Sequence, residues 1–186
     1  VSNYRQNVLL LKKEKDVVLD IQGEFDVILA DPPWQYRKGT VQPKRKIEFQ
    51  YSTISFKQLQ LLKIPAKKNA ILFLWATNPL LPKALELMKS WGFNYKTNFV
   101  WVKDKIGLGW YVRGKHELLL IRKKGVKFPV PEPSRRPPSV IEYPRRKHSE
   151  KPPVQEIIEK MYPNKSYLEL FARKKREGWT VWGDEV

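Results

Sequence analysis

The residues Asp31-Pro32-Pro33-Trp34 follow directly on the apolar run Phe25-Asp26-Val27-Ile28-Leu29-Ala30. A run of that length, rich in Val and Ile, reads as a buried strand. The two prolines end it, because neither can donate to a sheet ladder. A carboxylate, two carbonyls and an indole are thereby displayed together at the carboxyl end of a strand, where open α/β sheets bind their ligands. The chemistry such a set suits is narrow. An exocyclic amine on a nucleobase is planar, with its lone pair delocalised into the ring. Making it attack a methyl donor requires acceptors for its protons. Asp31 can take one and the Pro32 carbonyl another, while Trp34 offers a face on which an extruded base can stack. A plain strand-ending turn would use the same residue types, so the rest of the chain has to decide.

Charge narrows the partner. Thirty-six Lys and Arg stand against nineteen Asp and Glu, a formal +17. A chain that basic points to a polyanion, and nucleic acid is the usual one. A solvated Lys-rich surface would give the same total, but here the cations cluster. Arg37, Lys38, Lys44, Arg45 and Lys46 lie in one stretch with no acid among them, in a basic loop near 36–50. Arg135, Arg136, Arg145, Arg146, Lys147 and Lys151 gather in and just after a proline-rich loop near 124–147. Both groups flank the candidate site and can grip phosphates around an extruded base.

Other chemistries are excluded or disfavoured. The chain has no Cys, so disulfides, thiolate metal sites and a Cys nucleophile are ruled out. Only His116 and His148 are present, and no metal is expected. No run reaches membrane-span length and no secretory pattern opens the chain. The expected location is intracellular: cytoplasm or nucleoid in a prokaryote, nucleus in a eukaryote.

The elements that must position these residues can be read from periodicity. Val17–Ile21 is a short strand candidate. Ser55 with Gln58 forms a capping box for a helix that Pro65 stops. Ala70–Ala76 is a continuous apolar run, hence a central strand. A helix follows, with Leu81, Leu85, Met88 and Trp91 at helical spacing and Gly92 as its stop. Thr97–Val102 and His116–Ile121 read as strands, and Gly125–Pro144 as a long irregular loop. Val154, Ile157, Ile158 and Met161 mark one face of a further helix, and Tyr167–Ala172 and Trp179–Trp182 are the last strands. The alternation predicts an α/β fold in a single domain over 1–186. Its sheet is mainly parallel and closes with a C-terminal antiparallel hairpin.

A nucleotide-type cofactor fits this fold, yet the phosphate-cradling fingerprint is missing: Gly107-Leu108-Gly109 lacks the third glycine and the following helix. S-adenosylmethionine has no phosphates and needs none. Asp31 can hold its ammonium, Lys115 or Arg173 its carboxylate, and Glu169, Asp184 or Glu185 its ribose hydroxyls.

The chain resembles the MT-A70 family, the S-adenosylmethionine-dependent adenine N6-methyltransferases of RNA and DNA. Asp31-Pro32-Pro33-Trp34 matches the family's catalytic motif. Further matches come in the family's order: Tyr51-Ser52-Thr53, Leu72-Phe73-Leu74-Trp75, Trp91-Gly92-Phe93, Val100-Trp101-Val102-Lys103 and Gly114-Lys115-His116-Glu117. His148-Ser149-Glu150-Lys151-Pro152, Glu169-Leu170-Phe171-Ala172-Arg173 and Trp179-Thr180-Val181-Trp182-Gly183 complete the series. The resemblance implies a Rossmann-like methyltransferase fold in the permuted, beta-class motif order. It implies Asp31 shared between the cofactor's ammonium and the target amine, with Pro32, Pro33 and Trp34 completing the catalytic motif. It implies Lys115, Arg173, Glu169, Asp184 and Glu185 at the cofactor, with Asp16 and Val17 near its adenine. Asp184 and Glu185 fall where the family often carries Asn-Gln, a departure within this set. Tyr51, Trp75 and Trp101 would border the base, although spacing alone favours core packing for both Trp residues. His148 and Lys151 match the block between strand and helix. The expected partner is DNA or RNA, with DNA favoured because the compact chain resembles prokaryotic and phage members. A homodimer, a heterodimer and a monomer are all compatible with the sequence. The competing reading is a catalytically inactive or non-enzymatic basic subunit that binds nucleic acid.

Overall fold

The computed structural model describes residues 19–34, 54–109, 111–144, 150–183 and 186. Its frame is a seven-stranded sheet. The strands are β1 (Phe25–Ala30), β2 (Ala66–Ala76), β3 (Asn94–Val102), β4 (His116–Lys124), β5 (Val140–Glu142), β6 (Tyr167–Leu170) and β7 (Trp179–Trp182). Across the sheet they run β5-β3-β4-β2-β1-β6-β7. The helices are α1 (Phe56–Leu61), α2 (Leu81–Ser90) and α3 (Gln155–Met161).

Strand β1 is flanked by parallel neighbours on both sides, β2 and β6. Such a strand is covered on both faces and must be apolar throughout, which is why Val27 to Ala30 are almost fully buried. Alternation then divides the core. Ile28 and Ala30 join Leu72, Leu74 and Leu170 in a cluster with α1 and α2. Val27 and Leu29 join Phe73, Trp75, Trp101 and Leu119 in a second cluster with α3. The two-residue period places Asp31, the residue two beyond Leu29, on the α3 side.

The capping box on α1 is present: the Ser55 hydroxyl accepts from the Gln58 backbone, and the Gln58 side chain accepts from the Ser55 N–H. Helix α2 ends where Trp91 and Gly92 donate back into its last turn, with Gly92 at φ 81°.

Three expectations are corrected. The C-terminal strand pair is parallel, not an antiparallel hairpin: Tyr167 pairs with Trp179 and Leu170 with Trp182. A parallel return normally needs a dozen or more residues, but β6 is only four residues long, so residues 171–178 suffice to carry the chain back. The antiparallel element is instead β4, inserted between β2 and β3. In the proline-rich loop, Val140–Glu142 forms an edge strand parallel to β3. At the other end of the chain, the described part of the Val17–Ile21 strand is not strand. Ile21 donates to the Leu19 carbonyl at 2.9 Å, a tight local turn that takes the place of a ladder bond.

Candidate active site

The C-terminal ends of β1, β2 and β6 lie together because these strands run parallel. Antiparallel β4 begins at that same end, since Leu118 pairs with Ala76. A cavity of about 460 Å³ opens there, lined by Leu29, Asp31, Trp75, Glu169, Phe171 and Arg173 among others. That volume lies in the range of small-molecule sites.

Asp31 stands at the cavity with its side chain 27% exposed. Its backbone N–H reaches the Leu170 carbonyl at 3.4 Å, which ties the end of β1 to the end of β6. Burial pushes its carboxyl above the ordinary range; Lys151 pulls it down, Glu117 pushes it up and Arg173 pulls it down, and burial prevails. The Lys151 ammonium lies 3.6 Å from Asp31 Oδ1 and pairs with Glu117 Oε2, while Glu117 Oε1 pairs with Lys103. Burial also raises Glu117, but Lys151 and Lys103 outweigh it and hold that carboxyl below its usual value. Both ammoniums lie over indoles: Lys151 at 5.3 Å from the Trp75 centroid, and Lys103 at 4.9 Å from that of Trp101. The result is a fixed chain of charges, Asp31–Lys151–Glu117–Lys103, braced by a pair of edge-to-face Trp rings.

Lys151 reaches this position from the segment that leads into α3. Pro152 and Pro153 follow it and delay the helix to Gln155. Gln155 in turn donates to Glu169 Oε2 at 2.9 Å. Burial pushes the Glu169 carboxyl upward, Gln155 lowers it, and the nearby Asp31 charge raises it further.

Of the sequence-predicted residues, Asp31, Trp75, Lys151, Glu169 and Arg173 come together on the cavity wall. Lys115 is exposed and is not part of that lining, although it sits at the same sheet end and its carbonyl accepts from the Lys103 N–H at 2.8 Å. Trp34 is buried with the α1 and α2 cluster. Its indole donates to the Trp75 carbonyl at 3.3 Å, and its backbone N–H to the Pro32 carbonyl at 2.8 Å. In this arrangement Trp34 braces the motif and offers no open stacking face. Pro32 retains a second carbonyl lone pair. Trp101 is fully buried, so core packing accounts for it. Asp16, Val17, Arg37, Lys38, Lys44, Arg45, Lys46, Tyr51, His148, Asp184 and Glu185 lie outside the described residues.

Sequence reasoning missed Glu117, Lys103, Gln155 and Phe171 as parts of the site. Glu117 carried a readable signal: it alternates with Leu119 and Ile121, so an acid heads the inward face of an apolar strand. Phe171 carried none. It is a non-glycine residue at φ 63°, a conformation that costs energy and often marks a functional wall.

The wall suits the chemistry of S-adenosylmethionine: Asp31 and Glu169 can accept from an ammonium and ribose hydroxyls, Arg173 can meet a carboxylate, and Leu29 and Phe171 are apolar. Among the described residues no group of three or more His, Cys, Asp or Glu is placed to hold a metal ion. No described helix is long and apolar enough to cross a membrane.

Comparison with known proteins gives the family. The MT-A70 family model matches residues 25–185. A Type II methyltransferase, M.MunI, of a Mycoplasma species is 39% identical, over 88% of this chain and 78% of its own length. The human N(6)-adenine-specific methyltransferase METTL4 is 32% identical over 91% of this chain, but the match spans only 39% of METTL4. The N6-methyladenosine RNA methyltransferase MTA1 of Pyricularia oryzae is 27% identical over 95% of this chain and half of its own length. With a strand-end Asp-Pro-Pro-Trp at a cavity of this donor set, and a family match across nearly the whole chain, the protein belongs to the MT-A70 family.

Proposed function

We propose that this protein transfers a methyl group from S-adenosylmethionine to N6 of adenine in nucleic acid, with DNA as the preferred polymer. One observation carries the reading. The Asp31 carboxylate is held at the end of a parallel strand, facing a cavity whose wall also supplies a carboxyl group, Glu169, and a guanidinium cation, Arg173. The names of the relatives, adenine and adenosine N6-methyltransferases among them, support the target atom. The resemblance to prokaryotic and phage members of the family favours DNA over RNA.

S-adenosylmethionine, when bound, would supply an electrophilic methyl group to N6, the new N–CH3 bond replacing the S–CH3 bond and S-adenosylhomocysteine leaving as the neutral thioether. The chain's own residues position and polarise the amine. Asp31 accepts one N6–H and the free lone pair of the Pro32 carbonyl the other, which raises electron density on the nitrogen as it turns tetrahedral. Lys151 holds the Asp31 carboxylate in place, and Glu117 holds Lys151. The surplus proton leaves N6 after transfer, to water. The rate advantage comes from orientation and from fixed charges that need no rearrangement. The base reaches Asp31 only when unpaired or extruded from a helix.

The test is methyl transfer from labelled S-adenosylmethionine to matched single- and double-stranded DNA and RNA, with nucleosides resolved afterwards. N6-methyladenine is expected, preferentially in DNA. Asp31→Ala should lower the rate by about a hundredfold or more, with unchanged circular dichroism. Label on cytosine N4 or on protein, or near-normal turnover in the variant, would overturn the assignment.

A further inference from the structure

We propose that the described residues of the loop joining β3 to β4, 103–109 and 111–115, form a wedge that enters a DNA duplex beside the target adenine and fills the gap left by the extruded base. This rests on the reading of the site as a methyltransferase centre acting on adenine. It adds how a paired base is made available.

The observation is an apolar tip held out into solvent. Ile106 is 60%, Leu108 74%, Val112 80% and Tyr111 fully exposed. Scattered exposed apolar side chains need no explanation, but four on one loop do. The loop is built rather than slack. Gly107 donates to the Gly114 carbonyl at 2.7 Å, Gly114 to the Leu108 carbonyl at 3.2 Å, and the Arg113 side chain to the Gly107 carbonyl at 2.9 Å. The turn is so tight that a Cβ on Gly109 would lie 1.8 Å from the Val112 carbonyl. The backbone satisfies itself and leaves the apolar side chains facing outward.

Position and charge select the occupant. The loop springs from the sheet end that carries Asp31, and its stem residue Lys103 pairs with Glu117, the partner of Lys151. Anything docked on the tip therefore borders the place where the base must arrive. Lys105, Arg113 and Lys115 flank the tip along the chain, against the single acid Asp104. Two copies of so basic a loop would repel each other, whereas a duplex offers phosphates to the cations and an apolar base stack to the tip. Side chains such as Leu, Phe and Ile part base steps in this way in other DNA-bending proteins.

The experiment compares native and heat-denatured samples of one long genomic DNA, so that sequence context is identical in both arms. Tyr111→Ser/Leu108→Ser is set against wild type and against Tyr111→Trp, which restores a bulky tip. The double variant should lose about tenfold or more on native DNA while staying within about twofold on denatured DNA, and Tyr111→Trp should retain the native-DNA rate. Equal losses on both DNAs, or no loss on either, would overturn the wedge. So would a loss that tracks dissociation of a dimer in sedimentation, which would make the tip a contact between copies. A second readout needs no methyl transfer. Wild type should bind a duplex with one abasic site more tightly than the intact duplex, and the double variant should lose that preference. If wild type methylates neither DNA, the functional reading fails on its own, and the abasic-site preference still decides the wedge.

Discussion

Asp31 stands where function and stability pull against each other. Its carboxyl is raised by burial despite Lys151 and Arg173, so the folded protein holds its proton more firmly than the unfolded chain does. Between the ordinary carboxylate range and the raised value the folded state therefore binds more protons, and stability falls as pH rises through that window. At neutral pH the carboxylate is present at a net cost. Asp31→Asn should raise the melting temperature at pH 7 and abolish methyl transfer, and a lowered melting temperature would show that the Lys151 contact outweighs burial. Wild-type activity should decline with acid at a higher pH than an ordinary aspartate would give, because the neutral acid cannot accept from the amine. Glu117 has the opposite sign. Its carboxyl is lowered by two lysines, so its stabilisation is present above the unfolded value and fades as pH falls through the lowered one. Glu117→Gln leaves two ammoniums crowded on the Trp75–Trp101 pair without their counter-charge. It should cost about 3 kcal/mol, a drop of roughly 6 °C or more in melting temperature.

At the scale of elements, the strands were legible because burial on both faces forces continuous apolar runs, and β1 and the core of β2 follow those runs closely. Helix α1 was legible from its capping box, whose bonds are local and need no knowledge of the fold. What stayed hidden was pairing. Strand direction depends on partners far away in sequence, so the parallel β6–β7 pair and the inserted antiparallel β4 could not be read from their own residues. The same holds for the site. Asp31 announced itself by its prolines, whereas Glu117 acquires its role only when β4 delivers it beside Lys151. The β6–β7 return is the least forgiving joint of the fold. Ala172 donates to the Trp182 carbonyl at 2.9 Å, and a Cβ on Gly183 would fall 2.1 Å from the Ala172 carbonyl oxygen. Gly183→Ala must push this segment apart, and overpacking of that kind costs about 1–3 kcal/mol. Because Phe171 and Arg173 flank Ala172 on the cavity wall, the variant should also weaken S-adenosylmethionine binding in calorimetry. A destabilised protein with unchanged cofactor affinity would show that the joint supports the fold alone.

The whole molecule separates two electrostatic tasks. Nineteen acids face thirty-six Lys and Arg, yet Asp31, Glu117 and Glu169 converge at or beside one cavity. Within a lining that also carries Lys151, Arg173, Lys174, Lys175 and Arg176, these acids give a cationic sulfonium donor local partners, while the rest of the basic chain favours a polyanion. The two attractions should respond differently to salt. On the proposed reading S-adenosylmethionine meets partly buried side chains such as Asp31, so its affinity should change little with ionic strength. Polymer binding releases condensed counterions, and its logarithm should fall linearly with the logarithm of salt at a slope of about 0.9 per phosphate neutralised on duplex DNA. The run Arg37, Lys38, Lys44, Arg45 and Lys46 supplies five cations without an intervening acid. Replacing all of them with Gln should flatten that slope by about 2–4 and weaken binding at low salt, leaving calorimetric affinity for S-adenosylmethionine intact. An unchanged slope would place the phosphate grip elsewhere, with the cations at the cavity rim, Arg173, Lys174 and Lys175, next in line. A slope that flattens together with lost cofactor affinity would mean that the two tasks share residues, and the separation argued from the charge pattern would fail.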